Sequence, residues 1–114
     1  MTEEIGKSLP IKQSPIYSKT YDMLLWLMNH TERFPKSERF RMGKRLEDAA
    51  FQFYDLLIEA ARTKRKRQVL LQADLQLDRL RLYVRLSHAR KLTTTGYLHL
   101  QACQEDQVRQ SLPG

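Results

Sequence analysis

The chain holds a single cysteine, Cys103, so no internal disulfide can form and a reducing, cytoplasmic setting is expected. Its four glycines, Gly6, Gly43, Gly96 and Gly114, are too scattered to build a loop that cradles phosphate, which excludes P-loop and Rossmann nucleotide folds. The longest strictly apolar run, Met23 to Met28, is far short of a bilayer span, and no membrane partner is expected. The opening stretch, MTEEIGKSLP, carries acid where a secretory leader carries base followed by a long apolar run. Alternating β-branched residues and repeats of fixed period are also missing.

What is present fits one globular domain. The 114 residues are 41% hydrophobic and 29% charged, and 20 Lys and Arg against 13 Asp and Glu leave a net charge of +7. That excess points to a polyanionic partner without bearing on the fold. Residues 1–14 are polar and aperiodic and read as a flexible N-terminal arm, with residues 15–114 forming the folded domain. Breaks at Phe34-Pro35-Lys36-Ser37, at the basic run from Arg62 to Arg67, and at Leu92-Thr93-Thr94-Thr95-Gly96 cut that domain into four segments of helical spacing.

The first helix is expected from Pro15 to about Arg33, with Tyr17, Tyr21, Leu24, Leu25 and Met28 as its stripe; Ile16, Met23, Trp26 and Leu27 widen the apolar surface. Ser37 is expected to cap the second, which runs to about Ala61. Its stripe is Met42, Leu46, Ala49, Ala50, Phe53, Leu57, Ala60 and Ala61, with Arg41, Lys44, Arg45, Asp48, Asp55 and Glu59 opposite. The third, about Gln68 to Arg90, has two rows on nearly opposite faces: Leu70, Ala73, Leu77, Leu80, Val84 and Ser87, then Leu71, Leu75, Leu82 and Leu86. One row can enter the chain's own core. The other needs a second partner, and Leu71, Leu75, Leu82 and Leu86 are therefore the expected oligomer interface, unless the third helix is flanked on both sides within one subunit. Thr94 or Thr95 caps a more polar fourth helix, about Gly96 to Leu112. Short connections make an all-α, antiparallel up-down four-helix bundle the natural architecture.

Catalytic and metal chemistry find little support. A di-iron bundle needs Glu-x-x-His, which occurs nowhere. His99 and Cys103, spaced i, i+4, read as a surface histidine and a buried structural thiol rather than as two ligands of a metal. Cys103 with His30, His88 or His99 has no glycine-rich turn to supply an oxyanion site. Asp74 and Asp78 read as part of a solvated charge network with Arg81. No enzyme activity, metal or cofactor is expected. The basic residues carry the function instead: Arg62, Lys64, Arg65, Lys66, Arg67, Arg79, Arg81, Arg85, Arg90 and Lys91 face only two aspartates between residues 62 and 91. Lys64 to Arg67 form a loop cluster on which phosphates can converge, and nonspecific backbone contact is favoured over base reading.

The string Phe34-Pro35-Lys36-Ser37-Glu38-Arg39-Phe40, preceded by Tyr21 and Trp26, together with Ala60, the run Leu80-Arg81-Leu82-Tyr83-Val84-Arg85-Leu86, and Leu92 with Tyr97, resembles the accessory variability determinant (Avd) proteins of diversity-generating retroelements. The resemblance covers about residues 15–108. It lies within a wider group of small four-helix bundles that includes proteins encoded by ribosomal-RNA intervening sequences, and a structural or RNA-associated role of that second type is the alternative. The resemblance implies a homopentameric ring that binds the retroelement's reverse transcriptase and its template RNA and supports mutagenic cDNA synthesis (retrohoming) without chemistry of its own.

Overall fold

A computed structural model describes residues 15–112, and the expected N-terminal arm lies outside them. The described residues form four main helices and no strand: α1 (Pro15–Thr31), α2 (Lys44–Ala60), α3 (Lys66–Ala89) and α4 (Thr95–Gln110). A single α turn, Lys36–Glu38, and a π turn, Arg39–Gly43, lead into α2. The helices pack in the cyclic order α1–α2–α3–α4, with the largest interface between α2 and α3. Contacts between opposite ends fix the antiparallel sense. The Tyr17 hydroxyl at the start of α1 donates to the Leu57 carbonyl near the end of α2, and Thr31 at the other end bonds Glu47 at 2.5 Å. The fold is a four-helix bundle of up-down topology.

The inner seam of α3 is close to the periodic expectation. Val69, Ala73, Gln76, Leu77, Leu80, Val84 and Ser87 are buried, while Leu70 is half-buried. The second helix also keeps its expected face, with Leu46, Ala49, Ala50, Phe53, Leu57 and Ala60 buried. In α1 the phase is different. Ile16, Thr20, Met23, Leu24 and Leu27 point inward, whereas Tyr21, Leu25 and Met28 are exposed. Both rows are apolar enough to serve, and the positions of α2 and α4 select between them. Thr20 is accommodated in the core because its hydroxyl donates to the Ile16 carbonyl one turn back.

The helix ends show what stops each segment. Pro35, not Ser37, sits at the N-cap before Lys36, and no side chain caps that turn. The amides of Glu38 and Arg39 are satisfied by the Pro35 carbonyl instead. At α4 the Thr94 hydroxyl accepts from the Tyr97 amide, as its residue type predicts. The end of α3 is a Schellman turn: Leu92 N–H donates to the Ser87 carbonyl and Lys91 N–H to that of His88. Lys91 takes the left-handed conformation there, at φ 64°, where glycine is usual.

Candidate nucleic-acid interface

The ten cations expected to bind nucleic acid do not form one patch. Arg62 and Lys64 to Arg67 sit at one end of the bundle, where α2 stops and α3 starts. Arg90 and Lys91 lie at the other end, some 24 residues along α3 and therefore roughly 35 Å away. Arg79, Arg81 and Arg85 occupy the middle. Local structure explains the first group. The chain leaves α2 through Arg62 and Thr63 amides that both donate to the Glu59 carbonyl, and the Thr63 hydroxyl accepts from the Arg65 amide to hold the turn.

Lys66 and Arg67, expected in a loop, belong to the first turn of α3, which contains no acid. Cations at the positive end of a helix dipole oppose helix stability, and here they add to the field of the unpaired amides. Arg62 and all four residues from Lys64 to Arg67 are exposed, and none has a carboxylate partner among the described residues. This end of the described residues gathers five exposed cations.

Two of the other candidates are engaged within the chain. Arg81 donates from Nε to the buried Glu105 carboxylate at 3.2 Å and from its terminal nitrogen to Asp106, both on α4. Arg90 donates to buried Glu38 at 2.5 Å. The expected link between Asp78 and Arg81 is replaced by a different pairing: Arg109 of α4 contacts Asp74 at 3.0 Å and Asp78 at 2.7 Å. These acids are committed because α4 lies alongside α3, a fact that one helix's sequence does not contain. Arg79 and Arg85 are exposed, with no carboxylate partner among the described residues.

A second basic surface was not singled out from the sequence. The polar wedge of the second helical segment places Arg41, Lys44 and Arg45 beside Arg79 of α3 and Arg90 just past its end, in an open groove of about 700 Å³. Lys44 is paired with Asp48 at 3.0 Å, and Arg41 stands 3.9 Å from Glu38. Arg45 and Arg79 have no such partner among the described residues. The signal was available in the i, i+3, i+4 spacing of Arg41, Lys44 and Arg45, but facing acids on the same wedge made it look like an ordinary solvated face.

The row Leu71, Leu75, Leu82 and Leu86 stays on the surface, between 44% and 62% exposed. Among the described residues α3 packs against α2 and α4, and no helix covers this row. At 25 cal per mol per Å² or so, four half-exposed leucines leave several kcal/mol of apolar burial unrealised in a single subunit.

Of the three histidines, His30 has packed structural surroundings, whereas His99 is exposed. His30 stacks on Tyr97 with centroids 3.6 Å apart, and Tyr97 stacks on Trp26 at 4.1 Å. The His30 Nε2 shares a hydrogen bond of 2.8 Å with Thr93 Oγ1, which in turn meets Ser87 Oγ at 2.9 Å. Burial, aided by Arg33, holds the His30 imidazole below its ordinary pKa of 6.5. From Tyr97 a polar chain runs onward: its hydroxyl donates to Gln101, Gln101 to Glu105, and Arg81 closes the line. Burial pushes the Glu105 carboxyl up, and Gln101 and Arg81 only partly offset this; the Tyr97 phenol is raised far more, again by burial. Cys103, expected to be buried, is exposed. Among the described residues, no three His, Cys, Asp or Glu side chains gather in a metal-binding group.

No helix of the described residues is long and apolar enough to cross a membrane. An all-helical chain of four packed helices, with exposed cations and an exposed leucine row, defines a class of small helical-bundle proteins. Within that class the chain belongs to the bAvd-like family, the accessory variability determinant type, whose model matches residues 15–108. No curated protein matches the chain closely enough to add to this.

Proposed function

We propose that the chain is a noncatalytic accessory subunit of a diversity-generating retroelement. In this reading it binds the retroelement's reverse transcriptase and its template RNA, and so supports mutagenic cDNA synthesis. The supporting observation is the pairing of two surfaces on α3: the exposed, acid-free cluster at Lys64 to Arg67 and the uncovered row from Leu71 to Leu86. Copies joined through the leucine row, as a ring of five in this family's manner, would repeat the cationic cluster around one assembly. Repetition turns weak phosphate contacts into firm binding without new chemistry.

Affinity purification of the tagged protein from cells carrying the retroelement tests the reading. A reverse transcriptase and a defined RNA should co-purify, and their absence would overturn it. Replacing Lys64, Arg65, Lys66 and Arg67 together with Gln should weaken RNA binding and flatten its salt dependence. On single strands each neutralised phosphate contributes a log–log slope of roughly −0.7. Leu75→Asp or Leu82→Asp should dissociate the assembly. A wild-type chain that sediments as a monomer at micromolar concentration would remove the basis for that expectation.

A further inference from the structure

Within the segment Phe34 to Phe40, three residues have structural work, and the exposed aromatic residue does not. Phe34 is buried against the edge of the His30 ring, Pro35 sets the turn, and Glu38 is buried while holding Arg90 and facing Arg41. Phe40 has no such role. It is 72% exposed, the most exposed large apolar side chain in the described chain, and it projects from the π turn. A phenyl ring this far into water gains nothing for the fold, although on its other side it borders the exposed Leu25 and Met28. π turns within helices recur at functional sites because the extra residue re-aims its neighbours.

Phe40 lines the basic groove together with Arg41, Lys44, Arg45, Arg79 and Arg90. Glu38 and Asp48 offset part of that charge, and Arg45 and Arg79 remain without an acid partner among the described residues. An exposed aromatic face set among cations that reach a backbone is the arrangement by which proteins hold unpaired nucleotides. The ring stacks a base and the cations follow the phosphates. A duplex keeps its bases stacked on one another and offers Phe40 nothing but phosphate and sugar.

We infer that the groove between the π turn and α3 is a subsite for single-stranded nucleic acid, with Phe40 as the platform for one unpaired base and Arg45 and Arg79 as its phosphate contacts. This rests on the nucleic-acid reading above and adds a preference for unpaired strands at a defined place. The cluster at Lys64 to Arg67 lies at the far end of α3 and has no aromatic residue within it, so it grips either strand form alike.

The test compares a fluorescently labelled, unstructured 12-nucleotide RNA with an RNA duplex of equal length, by anisotropy over a salt series. Phe40→Ala should weaken single-strand binding roughly tenfold, the worth of one stacked base, while leaving duplex binding and the salt slope unchanged. Phe40→Trp should restore affinity, and its added fluorescence should be quenched by the single strand. Arg45→Gln with Arg79→Gln should reduce the salt slope on the single strand. Equal losses on both RNAs for Phe40→Ala, or no loss on either, would overturn the subsite. Loss of polymerase capture with RNA binding intact would overturn it too, marking Phe40 as part of a protein-docking surface with neighbouring Leu25 and Met28. A wild-type protein that binds neither RNA would overturn both this inference and the nucleic-acid reading beneath it.

Discussion

The two sides of the bundle are held together by different physics. Where α2 meets α3, the contact is a dry seam of Ala49, Ala50, Phe53 and Leu57 against Ala73, Leu77, Leu80 and Val84, and small residues let the helices approach closely. Where α4 meets α1 and α3, the contact is polar and aromatic. Trp26, Tyr97 and His30 stack there, the line from Gln101 through Glu105 to Arg81 runs beneath, and Arg109 clasps Asp74 and Asp78. Apolar contact is indifferent to pH and depends on fit. A buried polar network is conditional, because each member must find its partner in the right protonation state.

Substitutions can sharpen that contrast. The largest effect is expected in the dry seam: Phe53→Ala should cost about 3–5 kcal/mol in denaturant unfolding, with little dependence on pH. Next comes the polar side, where Arg81→Ala leaves the buried Glu105 without its cation and should cost about 1–3 kcal/mol. Arg81 is part-exposed, so water replaces some of what is lost. Glu105→Gln should be milder, and it tests the sign of the burial effect. Because folding raises the Glu105 pKa, the folded state holds its proton more tightly, and stability should fall as pH rises above the unfolded value near 4.5. That descending limb should flatten in Glu105→Gln.

His30 has the opposite sense. Its pKa is lowered in the fold, so the neutral ring is favoured and stability should fall as pH drops below about 6.5. Thermal melts between pH 7.5 and 5 should show the decline in the wild type and lose it in His30→Phe. A decline of equal size in both would place the titrating group elsewhere. Smallest of all, Lys91→Gly should stabilise the chain by about 0.5–1 kcal/mol, since glycine accepts the left-handed turn at no steric cost. It should leave the balance between the two sides unchanged.

The dry side was the legible side. Periodicity identified the burial of Leu46, Phe53, Leu57, Leu77, Leu80 and Val84, and turn chemistry narrowed the α4 cap to Thr94 or Thr95, of which Thr94 makes the bond. In the first helix the same method was right for Leu24 but also put Tyr21, Leu25 and Met28 in the stripe, which are exposed, while Ile16, Met23 and Leu27, read only as widening the apolar surface, are buried. The candidate interface was legible as charge and hidden as geometry. Counting cations singled out Arg81 and Arg90, whose partners stand on other segments, and passed over Arg41 and Arg45, whose groove-mates stand on α3.

Local chemistry, acting within a few residues of chain, set the number of helices, their breaks and the strip each of α2 and α3 turns inward. Those choices depend on propensity and spacing, which travel with the sequence itself. Only packing decided which face of α1 is dry and which arginines are tied to acids of other helices. Each of these depends on what a neighbouring helix places opposite, and a helix's own residues carry no record of its neighbour.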